Sequence, residues 1–155
     1  TGWRIGWAIG PAEVIKAMGK VQSQMTSNPT SIAQWASVEA LTSPPPEVEE
    51  MRKEFEARGQ MMADGLRDID GVTTLDAEGA FYLFPDVSAH FGRQIVGEQV
   101  DGSMDFSRVV LEKAHVAVVP GVAFGADRHV RLSFATSREN IDQGLARIKE
   151  LLEKK

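Results

Sequence analysis

Two arginines lie near opposite ends of the sequence, each in a segment that alternates like a β-strand. The first is Arg4 in TGWRIGWAIGP, and the second is Arg131 in HVRLSFA. A guanidinium group binds phosphate or carboxylate through a planar fork of N–H donors. Two such residues suit a ligand with two anionic ends, although an ordinary solvent-exposed or ion-paired arginine would explain either one alone.

The neighbours of Arg4 are arranged as expected for a strand with one bare face. Alternation puts Trp3, Ile5, Trp7 and Ile9 on one side, and Arg4 on the other among glycine and alanine. Glycine weakens a strand, and a common reason to keep it there is the close approach of a ligand or another backbone. This face therefore fits an anion site, with a solvent-exposed edge strand as the alternative.

The segment around Arg131 shows the same alternation. Val130, Leu132 and Phe134 share one apolar face, so we expect Arg131 to lie on the opposite face of its strand. An exposed strand arginine is again the plain alternative.

Composition limits the partners of the chain. A net charge of −5 and a pI near 5.2 argue against nucleic acid or an anionic membrane surface as the main partner. The sequence has no cysteine, which excludes disulfides and cysteine-bound zinc, and its three histidines show no ligand spacing, so we predict no metal site. No membrane-spanning stretch or signal-peptide pattern is found, so we expect a cytoplasmic protein that binds a small molecule or another protein.

Periodicity predicts two parts joined by prolines. Helices are predicted over 11–25, from Pro29 to about residue 40, and over 46–69. The last is a long charged helix, and its predicted buried residues are Val48, Met51, Phe55, Met62, Leu66 and Ile69. The prolines of TSPPPEVEE cannot continue a helix and mark a boundary, so we divide the chain into residues 1–45 and 46–155. Trp3, Trp7 and Trp35 would be exposed if the first part stood alone, which predicts an interface.

The second part mixes short strands with helices. Strands are predicted at 72–75, 80–87, 116–120 and 129–135, with a helix from about 104 to 114 and a loop over 88–102. Thr136 and Glu139 have the spacing of a capping box before a final helix. The best description is a two-layer α/β unit with a small, mostly antiparallel sheet.

Four blocks carry a family resemblance when taken in order. TGWRIGWAIGP, TSNPTSIAQWA, EGAFYLFPDVS and PGVAFGADRHVRLSFA together resemble the C-terminal portion of the class I (fold-type I) pyridoxal-phosphate-dependent aminotransferases, the aspartate aminotransferase family. The resemblance implies that residues 1–45 end a large domain that binds pyridoxal 5'-phosphate, and that residues 46–155 form a small domain. It also implies a homodimer that transfers an amino group between an amino acid and a 2-oxo acid.

The same resemblance assigns roles to the two arginines. Arg4 matches the arginine that binds the cofactor phosphate, and Arg131 matches the arginine that binds the substrate α-carboxylate. The Schiff-base lysine of the family precedes the first of these arginines and would lie before Thr1. We therefore expect no catalytic residue within this sequence, an inactive chain when it is alone, and the rest of a longer chain as its partner.

The sequence leaves three points undecided. Arg128 occupies a position where the family usually has glycine, which leaves the shape of the turn before Arg131 undecided. Tyr82 could lie near the substrate or be a packed strand tyrosine. The function could also be that of an aminotransferase-like, ligand-sensing domain of a transcription regulator, which the sequence upstream would reveal.

Overall fold

A computed structural model describes residues 2–154 of the chain, which divide into two compact units between Val48 and Glu49. The first unit contains helix α1 (Ala12–Met25) and helix α2 (Ser31–Thr42). Both agree with the prediction, because apolar residues recur at helical spacing between the Pro11 start and the TSNPTS break.

The strand predicted around Arg4 is wrong: residues 2–10 form a turn followed by irregular backbone. A strand must pair its backbone N–H and C=O groups with a neighbour, and residues 2–48 contain no other strand that could pair with it. Arg4 also has a φ of 50°, a left-handed conformation that interrupts an extended segment.

The first unit exposes most of its large apolar side chains. Trp7 and Trp35 are 74% and 75% exposed, whereas Ala33 is the one buried hydrophobic residue among residues 2–48. The exposed tryptophans agree with the prediction from the sequence. Large exposed apolar side chains of this kind often mark an interface.

The second unit contains five short strands and three helices, the first of which begins two residues before the unit does. In chain order they are α3 (Glu47–Arg67), β1 (Tyr82–Leu83), β2 (Arg93–Ile95), β3 (Glu98–Val100), α4 (Ser103–Val109), β4 (Val119–Pro120), β5 (Val130–Ser133) and α5 (Arg138–Glu153). A π-helical turn, Val110–Ala114, extends α4, and 3-10 turns span Ser88–His90 and Gly121–Phe124.

Strand β5 is the centre of a three-stranded antiparallel sheet. It pairs with β1 through Leu83 and Leu132, and with β4 through Val119 and Arg131. The apolar face of this sheet contributes to one core with helices α3, α4 and α5, whose most buried members include Leu66, Ile69, Phe106, Val109, Val130, Phe134, Ile141 and Ile148. The structure thus confirms the α/β class and the antiparallel sheet.

The predicted loop over 88–102 is wrong, because it contains the β2–β3 hairpin. Val96 and Gly97 connect the strands and both have positive φ, 50° and 79°. Two-residue turns of this kind most often have the sequence Asn-Gly or Asp-Gly. A β-branched valine rarely adopts a positive φ. The sequence therefore lacks the usual hairpin signal.

Three further local predictions need correction. The strand over 72–75 is a single bridge between Thr73 and Asp86. Helix α5 is capped by Ser137, whose hydroxyl accepts the Asn140 backbone N–H at 3.2 Å, and not by Thr136. Val48 and Met51, predicted to be buried on the long helix, are exposed, because the core lies against the C-terminal half of α3.

Within residues 2–154 there is no helix with both the length and the apolar character needed to cross a membrane. The same residues contain no group of three or more His, Asp or Glu side chains placed to hold a metal ion.

Candidate functional site

Arg131 lies on the face of β5 that turns away from the core. Its strand neighbours Val130 and Leu132 are buried, whereas Arg131 is half-buried, as the alternating pattern predicted. The central strand of a three-stranded sheet is a rigid place for a binding side chain, because it is paired on both edges. Its backbone position is therefore fixed by two strand partners.

The guanidinium of Arg131 contacts aromatic rings instead of acidic side chains. Its central carbon lies 4.4 Å from the centroid of the Tyr82 ring and 4.8 Å from that of the Phe124 ring. In the part of the chain that the structure describes, no carboxylate forms an ion pair with Arg131, whereas Arg128 and Arg138 each have one. The polar edge of this guanidinium is thus available to an external anion.

Hydrogen bonds fix the turn that carries Phe124. The Gly121 N–H donates to the His129 carbonyl at 2.8 Å, and the Ala126 N–H donates to the Gly121 carbonyl at 3.0 Å. A side chain at position 121 would have its Cβ 2.2 Å from the carbonyl oxygens of both Ala126 and His129, so only glycine fits this close approach.

The contacts and backbone conformation of Arg128 define the turn before Arg131, whose shape the sequence left undecided. It pairs with Asp86, with the Arg128 Nε 3.0 Å and the Nη2 2.8 Å from one carboxylate oxygen. Arg128 is not among the described residues with positive φ, so the backbone there does not require the family's usual glycine. Burial raises the pKa of Asp86, but hydrogen bonds from Ser88 and Arg128 outweigh it and lower that pKa overall.

Arg4 lies in the first unit, on the wall of an apolar groove of about 850 Å³. The groove is lined mainly by small and apolar residues of the opening segment and of α1, among them Gly6, Ala8, Val14, Met18 and Val21. A Cβ built at Gly2 or Gly6, on either side of Arg4, would meet nothing within 4 Å in the described chain. The backbone at Gly2 and Gly6 is therefore not crowded by other described residues.

The two predicted binding arginines occupy different units of the chain. Arg4 belongs to the first and Arg131 to the second. Their convergence on one ligand stays a prediction.

Sequence reasoning did not assign a role to Phe124 and left Tyr82 undecided. Tyr82 lies diagonally across the β1–β5 pairing from Arg131, since it is opposite Ser133. Alternation of Tyr82 with buried Leu83 could have placed it on the outer face, but no pattern in the sequence indicates which loop residue reaches the same guanidinium.

A sequence profile described as aminotransferase class I and II matches residues 1–148. The chain belongs to this family. Among class I and II aminotransferases, it is 46% identical over 156 residues to an aspartate aminotransferase of Geobacillus stearothermophilus, covering 99% of this chain and 38% of that protein. It is 44% identical over 149 residues to an aspartate/prephenate aminotransferase of Cereibacter sphaeroides, covering 96% of this chain and 37% of that protein.

A solved class I and II aminotransferase structure agrees with this assignment. The aspartate aminotransferase of Rhizobium meliloti matches with a TM-score of 0.82 and 44% identity, covering 98% of this chain and 38% of that one. The chain thus spans well under half the length of the aminotransferases it matches.

The residues present fit part of the cofactor of these aminotransferases. Pyridoxal 5'-phosphate has a phosphate group, and the donor set of Arg4 suits a phosphate oxygen pair. Arg4 also lies on the wall of the groove in the first unit. That Arg4 holds the cofactor phosphate stays a prediction.

Proposed function

We propose that this chain forms the C-terminal part of an enzyme that transfers an amino group between an amino acid and a 2-oxo acid. The observation that carries the proposal is the half-buried Arg131, which lies on a central strand and whose guanidinium has no acidic partner in the described chain. Family membership over residues 1–148 supports the same reaction class. We expect the full-length protein to be a polypeptide of about the relatives' length that contains this sequence.

Arg131 would bind the α-carboxylate of the amino acid or 2-oxo acid. A bidentate guanidinium–carboxylate pair is charge-assisted and directional, so it fixes the orientation of the adjacent Cα. Holding the reacting atom in one orientation lowers the entropic part of the barrier to proton removal from Cα. Arg131 therefore contributes to substrate affinity and to rate.

Pyridoxal 5'-phosphate would be held through its phosphate by Arg4. When bound, the cofactor supplies the electron sink for the pair that remains after the Cα proton leaves. The lysine that carries the cofactor in this family is expected before Thr1, so the chain alone would be inactive.

The exposed apolar surface of residues 2–48 supports a proposal about partners. We infer that this surface packs against the remainder of the full-length protein. We further infer that the full-length protein is a homodimer and is located in the cytoplasm. Exposed tryptophans such as Trp7 and Trp35 are large apolar groups whose burial is strongly favourable.

Substitution of Arg131 tests the proposed reaction. In the full-length protein, Arg131→Ala should lower kcat/KM for L-aspartate by at least about tenfold, because hydrogen bonds to a charged group contribute about 1.5–3 kcal/mol. Arg108→Ala, which removes an exposed arginine paired with Glu98 and Glu112, is the matched control. Unchanged kinetics in Arg131→Ala would rule out the assigned role.

A further inference from the structure

The two aromatic rings at Arg131 come from separate elements. Tyr82 lies on β1 and Phe124 ends the 3-10 turn after β4, yet both rings are within 5 Å of the same guanidinium carbon. Tyr82 is 37% exposed and Phe124 is 49% exposed, so neither ring is held there by burial in the core. Their shared contact is the guanidinium.

A second layer of contacts restrains the Phe124 ring. Phe84 packs edge-on against Phe124 with ring centroids 5.8 Å apart, and it stacks on His129 with centroids 4.9 Å apart. The Ser103 hydroxyl accepts the Val122 N–H at 3.1 Å and ties the same turn to α4. The ring therefore belongs to an ordered cluster and not to a free loop.

Aromatic stacking and carboxylate binding use different parts of a guanidinium. A ring attracts the flat face of the cation through its quadrupole, whereas a carboxylate accepts from N–H groups at the planar edge. Ring contacts therefore hold Arg131 in one orientation without occupying the donors that a carboxylate needs. An arginine oriented in advance loses less conformational entropy when it binds its ligand.

We propose that Tyr82 and Phe124 are positioning residues that hold the Arg131 guanidinium ready for a carboxylate. The inference rests on the proposed function, because it presupposes that Arg131 binds the substrate carboxylate. It assigns these rings to ligand binding through Arg131 and not to general stability.

The test measures binding and turnover in the full-length holoenzyme. The probe is maleate, a dicarboxylate that cannot be transaminated, with its Kd measured by calorimetry, and L-aspartate is the substrate for KM and kcat. Tyr82→Leu removes the ring and should raise the maleate Kd and the L-aspartate KM by about 5-fold to 20-fold, the range expected for a partly desolvated cation–π contact. The kcat should change less, because the ring acts on bound substrate and transition state alike.

The effect of Tyr82→Leu with and without Arg131 distinguishes a positioning role of the ring from a structural one. In an Arg131→Ala background, Tyr82→Leu should leave the maleate Kd unchanged, and Tyr82→Phe should restore the affinity that Tyr82→Leu loses. Equal effects of Tyr82→Leu in both backgrounds, or no effect when Arg131 is present, would overturn the inference. Phe124→Leu gives the same readout at a more exposed ring if Tyr82→Leu does not fold.

The same measurements distinguish failure of the proposed function from failure of the positioning role. If Arg131→Ala leaves the maleate Kd and the L-aspartate kinetics unchanged, Arg131 is not the carboxylate site. If Arg131→Ala weakens both but Tyr82→Leu and Phe124→Leu weaken neither, the carboxylate site stands and the positioning role is rejected.

Discussion

One carboxylate oxygen of Asp127 accepts two hydrogen bonds from Ser103, from its hydroxyl at 2.7 Å and from its backbone N–H at 3.1 Å. Ser103 is the first residue of α4 and is fully buried, whereas Asp127 lies four residues before Arg131 in the chain. The pair thus caps a helix start with a residue that is distant in sequence, and it fixes the loop that leads into β5.

Loss of the Asp127 acceptor should destabilise the second unit. Asp127→Ala leaves the buried Ser103 hydroxyl without its acceptor, which costs about 1–3 kcal/mol. Thermal unfolding of the full-length protein should show a lower Tm for Asp127→Ala. Asp127→Asn keeps an acceptor oxygen and should lose less, and equal Tm values for the two variants would contradict the role of the hydrogen bond.

A methyl group at Gly121 should be costly for a different reason. Gly121→Ala places a Cβ against two backbone oxygens, and such overpacking typically costs about 1–3 kcal/mol or more. Gly144→Ala is the matched control, since a Cβ there meets only Val116 at 3.9 Å and alanine favours the helix by about 0.5–1 kcal/mol. Opposite signs are expected in Tm, and a Gly121→Ala variant as stable as the wild type would refute the close approach.

Acid should weaken the connection between α3 and α5. The Glu54 carboxylate accepts from Arg138 at 2.6 Å and 3.0 Å and from Arg58 at 2.7 Å, and these hydrogen bonds lower the pKa of Glu54 to about 2. A carboxyl whose pKa is lowered on folding stabilises the fold above its ordinary pKa of 4.5 and loses that contribution as the pH falls towards 2.

Unfolding measured between pH 7 and pH 2 tests this prediction. Glu54→Gln should be less stable than the wild type at pH 7, and the difference should shrink below pH 4.5. Glu50→Gln, on the same helix and without an ion pair in the described chain, is the control. A Glu54→Gln deficit that stays constant with pH would contradict the assignment.

Arg4 is predicted to determine cofactor affinity. In the full-length protein, Arg4→Ala should weaken pyridoxal 5'-phosphate binding by at least about tenfold, because charge-assisted hydrogen bonds to the phosphate are lost. Arg4→Lys keeps the positive charge but not the planar fork of N–H donors, so its affinity for the cofactor should lie between those of the wild type and Arg4→Ala. The measurement is cofactor absorbance after dialysis, and full retention by Arg4→Ala would exclude Arg4 from the phosphate site.

Much of the fold follows from local pattern. Helices α1, α2 and α5 and the apolar face of β5 were predictable, because their residues repeat at the spacing of a helix or a strand. The same reasoning failed for residues 2–10. Alternation indicates which residues share a face but supplies no hydrogen-bonding partner.

The sequence by itself determined the family, through four ordered blocks, and it singled out two arginines as candidate anion-binding residues. Only the tertiary structure decided that Tyr82 and Phe124 meet at Arg131, 49 and 7 residues away along the chain, respectively. The physical reason is that a guanidinium's neighbours are set by strand pairing and by the folding of a turn. Strand pairing joins residues that are far apart in sequence, and the turn is fixed by hydrogen bonds that include one from Val122 to Ser103.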